Sequence, residues 1–146
     1  MKDLFNATER RRVIERLQKL QPESQPRWGS LTAPLLMAHL IDACRISFAE
    51  KAVEPQPGFL STALGRWLAL RMPIPRGRIK APPAFHETEP EDFDSDRARV
   101  ITYIERFADG PDQTWGPSPI FGQLSPQQWA RLHRTHFDHH LRQFGV

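Results

Sequence analysis

Four of the chain's six histidines fall within eight consecutive positions, His133, His136, His139 and His140 in "HRTHFDHH". His136 and His140 are spaced i, i+4, which on a helix stacks two imidazoles one turn apart so that both can reach a single ion. Wound at about 100° per residue, this segment gathers Trp129, Leu132, Phe137 and Phe144 on the same broad side as His136, with His133 and His140 inside that arc. Arg131, Arg134, Asp138 and Arg142 fall opposite, and His139 lies at the edge, nearer solvent.

Two ligands do not make a site. A third candidate is His39 in "APLLMAHLIDA", in the middle of an apolar helical face between Leu35, Leu36, Ala43 and Ile46. If the two helices are neighbours, His39 faces the His136 and His140 pair. Three neutral imidazoles with an open fourth position suit a divalent metal, Zn²⁺ or Ni²⁺ first and Fe²⁺ or Mn²⁺ also, the open position taking water or substrate. Asp42 and Gln143, one turn from His39 and His140, are placed to orient the ligands. His133 is expected to line the same cavity or handle protons there, with packing the plainer alternative. Glu50 shares the face of His39 but stands about 16 Å further along the helix, too far to join. No residue is assigned a catalytic role. The alternative is a set of hydrogen-bonded core histidines, or a polar groove, with no metal.

The elements that must position these residues follow from length, composition and punctuation. A chain of 146 residues suits one domain, 1–146, with its own core. Its net charge of +3, from 20 basic and 17 acidic residues, is too mild to argue for nucleic acid. The charged start "MKDLFNATERRR" offers no signal-peptide core, and no window approaches the roughly 20 apolar residues of a membrane span, so a cytoplasmic location is expected. The single Cys44 excludes an internal disulfide and a Cys-x-x-Cys motif, leaving nitrogen and oxygen as metal ligands. It lies away from His39 around the helix, and its expected role is a small buried apolar one.

The fourteen prolines are clustered, and between the clusters the pattern reads helical. Asn6 caps a first helix that runs through Val13, Ile14, Leu17 and Leu20, with Glu9 at its third position. A second opens near Thr32, tolerates Pro34 in its first turn and runs to about Lys51. "FLSTALGRWLALRM" makes a short amphipathic helix, and "PIPRGRIKAPPAFHETEPEDF" a long proline-rich loop. His86 on that loop is expected to be solvated. A further long helix covers Asp94 to Ala108, and the last opens at "SPQQ", with Ser125 and Gln128 as a capping box around Pro126. Four principal helices and one short one, with no strand-like alternation, predict an all-α antiparallel four-helix bundle.

At this point "RWGSLTAPLLMAHLIDA" and "FGQLSPQQWARLHRTHFDHHLRQFGV" resemble the DinB-like (DinB/YfiT-like) superfamily, in particular a bacterial branch of uncharacterised function. The likeness spans nearly the whole chain, from the arginine-rich first helix through "TEPEDF" to the His-x-x-x-His helix followed by glutamine. It implies a bundle of up-down-down-up connectivity. It also implies a divalent metal held by one histidine of the second helix and two of the last, which are His39, His136 and His140 here. Relatives of that kind include metal-dependent hydrolases and transferases or isomerases of low-molecular-weight thiols.

Between Glu54 and Glu87 there is no acidic residue, while Arg66, Arg71, Arg76, Arg78 and Lys80 bring five positive charges. A solvated basic face is the plain reading of this segment. The functional one is attraction of a small anionic or thiol substrate, with nucleic acid ranked lower. Trp67 and its leucines are expected to cap the bundle or to form a homodimer contact, and not to bind membrane. The leading expectation is a metal-dependent hydrolase or thiol S-transferase, in which the ion polarises a substrate group or lowers the pKa of water or thiol. The competing one is a metal-free binding or stress-related interaction module without catalytic activity.

Overall fold

The computed structural model describes residues 2–56, 58–75 and 81–146. Five α-helices carry the described residues: α1 (Ala7–Leu17), α2 (Ala33–Ser47), α3 (Ala63–Ala69), α4 (Phe93–Arg106) and α5 (Pro126–Gln143). Single 3₁₀ turns stand at Phe59–Ser61, Pro83–Phe85 and Phe107–Asp109. No strand is present among the described residues, only an isolated bridge between Ser118 and Gly122. Arg76, Arg78 and Lys80 of the basic segment lie outside the described residues.

The helix starts follow side-chain chemistry. Asn6 accepts from the Thr8 and Glu9 amides, Thr32 from that of Leu35, and Ser125 closes a reciprocal capping box with Gln128. The ends are shorter than the apolar periodicity predicts. α2 stops at Ser47 instead of near Lys51, because Ala49 turns to a φ of 57° and the Glu50 and Lys51 amides both return to the Arg45 carbonyl. α1 stops at Leu17 and passes through turns to Leu20. α4 closes at Arg106, where its last turn tightens into 3₁₀ geometry.

α2 packs against α4 and α5, and α1 against the same two helices. Phe107, Phe137, Leu17, Leu36, Leu40, Ile41, Ile104 and Leu141 fill the space between them. Twelve of the fifteen residues of α2 are buried, so it is enclosed on nearly every side. α1 is fastened to the outer face of α5 by Arg134–Glu9 at 3.1 Å and Arg16–Asp138 at 2.7 Å. These pairs use the charged face of α5 and leave its histidine face turned inward. A smaller core of Ile46, Leu70, Leu124 and Trp129 lies beside the main one. Trp129 donates its indole N–H to the Gly116 carbonyl at 3.0 Å. Gly116 itself presses on α2, where a Cβ would stand 2.4 Å from the Ile46 carbonyl oxygen.

Candidate metal site

α2 and α5 bring His39, His136 and His140 together. The Nε2 of His136 lies 3.0 Å from the Nε2 of His39 and 3.0 Å from the Nε2 of His140. One nitrogen from each of the three falls within 4.8 Å of the others, the arrangement a shared metal ion needs. His39 is 5% exposed, and the other two are half-buried.

The outer nitrogens fix which inner nitrogens carry lone pairs. His39 Nδ1 lies 3.0 Å from the Phe85 carbonyl oxygen, which can only accept, so Nδ1 is the protonated nitrogen and Nε2 is bare. His140 Nδ1 lies 2.9 Å from Gln143 Oε1. The Gln143 amide is oriented by its Nε2, which donates to the Trp28 carbonyl at 2.9 Å, so His140 also protonates Nδ1 and bares Nε2. His136 can supply at most one hydrogen from its Nε2. Three converging nitrogens therefore share at most one proton, a donor set that fits a cation.

Electrostatics holds the three rings neutral, as ligands must be. Burial lowers His39 to about 4, against the raising effect of its bond to the Phe85 carbonyl. Burial, reinforced by the neighbouring His39, lowers His140 to about 3. His136 is held well below its usual value by burial and then by His140 and His39.

Gln143 sits where the helical spacing places it, directly behind His140. Asp42 touches no histidine. Its fully buried carboxylate accepts from the Glu87 amide at 3.0 Å, the Thr88 amide at 2.9 Å and the Thr88 hydroxyl at 2.7 Å. Lys51 Nζ, 3.0 Å from Asp42 and 2.6 Å from the Ala84 carbonyl, draws the same loop inward. The proline-rich loop is thus pinned where Phe85 can receive the His39 N–H. Burial raises the Asp42 carboxyl, but the Thr88 hydrogen bonds and the Lys51 charge outweigh it and hold the group below its usual range.

His133 reaches the cavity wall but binds no ring of the three. It is 2% exposed, lies between Trp129, Phe107 and Phe137, and neither ring nitrogen has a hydrogen-bond partner. Burial alone lowers it to about 3. His139 is half-buried against Trp28 and His140. Glu50 points elsewhere, to Tyr103 and Arg106. Cys44 is fully buried, and that burial pushes its thiol up.

Sequence reasoning missed three contributors. His86, expected to be merely solvated, is exposed yet stacks on His39 with centroids 5.2 Å apart. Phe85 and Trp28 contribute backbone carbonyls, for which side-chain type carries no signal. Of the basic segment, Arg66 donates to the Ser61 and Phe121 carbonyls, while Arg71 lies over the Trp67 ring.

A family model described as "Protein of unknown function (DUF1569)" matches residues 1–145. The chain belongs to the DUF1569 family. DUF1569 is a DinB-like family, in agreement with the resemblance in the two histidine-bearing segments. Comparisons of this DUF1569 chain with curated proteins and with solved structures find no match. No helix among the described residues is long and apolar enough to cross a membrane.

The three histidines line a cavity of about 970 Å³. Its walls come from α2, α3, α5, the proline-rich loop and the 118–121 turn, with Leu31, Leu60, Met72, Ile74 and Ile120 among them. Gly65 lets α3 sit close on the preceding turn, because a Cβ there would meet the Phe59 carbonyl oxygen at 2.0 Å.

Proposed function

We propose that this DUF1569 chain binds a divalent metal through His39, His136 and His140, and acts with it as a metal-dependent hydrolase or thiol S-transferase. The observation that carries this reading is the convergence of three Nε2 atoms with at most one proton among them. Zn²⁺ and Ni²⁺ suit the all-nitrogen donor set best, ahead of Fe²⁺ and Mn²⁺. When bound, such an ion supplies Lewis acidity, polarising a substrate group or lowering the pKa of water or a thiol.

The chain's own residues do the rest. The Phe85 carbonyl and Gln143 hold two rings in the tautomer that offers Nε2 inward. Apolar side chains of the cavity stand beside them. The fold in this reading is one bundle domain of up-down-down-up connectivity, supported by the packing of α1 and α2 each against α4 and α5.

Elemental analysis of protein purified without a histidine tag or metal column tests the proposal. Stoichiometric metal in the natural chain and its loss in the His136→Ala, His140→Ala double variant support it. Absence of metal from both, with no rise in thermal stability on adding zinc or nickel, sinks it. The second reading, a metal-free binding module, is favoured by the exposure of Leu64 and Trp67 on α3, and that negative result would select it.

A further inference from the structure

We infer that the cavity beside the three histidines takes a ligand with a long apolar body and a single coordinating heteroatom at one end. The inference rests on the proposed metal reading for the heteroatom alone, and on the cavity for the body. The lining carries polar groups at its histidines and at Gln143, Ser30, Ser118 and Thr135. The rest of the lining is mainly aliphatic or aromatic, including Leu35, Phe59, Leu68, Met72, Phe121 and Leu132.

Among the described residues, none that lines the cavity is an aspartate, glutamate, lysine or arginine. Two neighbouring cations, Arg66 and Lys51, are engaged elsewhere. Arg66 Nη1 donates to the Ser61 carbonyl at 2.6 Å and to that of Phe121 at 3.1 Å. Lys51 is held by Asp42, Glu87 and the Ala84 carbonyl. An alkyl or aryl body in the apolar part would leave water for matching surface. The volume is that of a site for a drug-sized organic molecule, larger than water or a small anion needs.

This narrows the expectation of a small anionic or thiol substrate. A thiol, hydroxyl, amide or ester can present the heteroatom, and the body of the molecule is apolar.

The test measures binding of straight-chain alcohols, butanol to decanol, to the full chain with and without zinc, by competition with an uncharged fluorescent dye. The expected result is a dissociation constant that tightens about threefold per methylene in both forms. Alkyl hydroxamates of matching length should bind more tightly than the alcohols only to the zinc-loaded chain. Leu68→Glu, or Leu35→Lys from the other wall should the first not fold, should weaken decanol about tenfold and leave zinc uptake unchanged.

A flat dependence on chain length, or wall variants without effect, would overturn the inference. Failure of zinc uptake with an intact alcohol series would sink the metal reading alone.

Discussion

Asp42 sets the donor geometry of His39 without touching it: its carboxylate holds Glu87 and Thr88, and the same loop delivers the Phe85 carbonyl to His39 Nδ1 at 3.0 Å. Asp42→Asn removes the charge opposite Lys51 and leaves one side-chain oxygen to serve bonds now shared by two. Breaking a buried pair of this kind costs about 3 kcal/mol. Urea unfolding should show that loss, and zinc affinity should fall with it, since His39 is no longer held in the tautomer that bares Nε2. Unchanged zinc affinity in a destabilised variant would show that the loop does not govern His39.

Gln143 has the corresponding role behind His140. Gln143→Leu should lower zinc affinity about 10- to 100-fold, the usual effect of removing a group that orients a ligand. Gln143→Glu keeps an acceptor for His140 Nδ1 but loses the donor to Trp28, and should fall between the two. Competition with a chromophoric chelator measures all three. Equal affinities would remove Gln143 from the site.

His133 contributes two unpaired buried nitrogens and no bond. An unsatisfied buried polar group costs about 1 to 3 kcal/mol, so His133→Phe should raise the unfolding midpoint while zinc uptake is retained. Loss of zinc uptake would instead give His133 a part in the site.

The pH dependence has a definite sign. His39 near 4, and His133 and His140 near 3, lie below the 6.5 of the unfolded chain. Between these values the unfolded chain binds more protons than the folded one, so stability is full above about pH 6.5 and declines as pH falls towards 3 to 4. Each such histidine adds about 1.4 kcal/mol per pH unit to the slope. Urea titrations of the metal-free chain between pH 7 and 4 should show this, with a shallower slope in His133→Phe. Equal slopes would place the His133 proton equilibrium outside folding.

Cys44 should be inert. Burial raises its thiol, and no surface of it is open to solvent, so a disulfide reagent should label it only at the rate of unfolding. Rapid labelling of the native chain would contradict its burial.

The sequence carried the helices where local chemistry is loud. The Asn6, Thr32 and Ser125 caps are where their side chains predict, and the inward turn of His39, His136 and His140 follows from winding α2 and α5. What was silent lies in the loop of prolines. It has no periodicity, so nothing local says that Phe85 would accept from His39, that His86 would stack on it, or that Asp42 would bind backbone amides 45 positions on. The end of α2 was overrun for a related reason: apolar spacing continues past Ser47, while the stop is made by the backbone of Ala49.

The near-complete enclosure of α2 also bears on how the molecule is made. His39 and His136 stand 97 positions apart, so a growing chain displays an apolar helix long before α5 exists to cover it. Contacts so distant in sequence form slowly, and until they do α2 is the segment with most to lose to a neighbouring nascent chain. A fragment halted before Ser125 should therefore be a client for chaperones, and the three nitrogens a reporter that synthesis has been followed by complete folding.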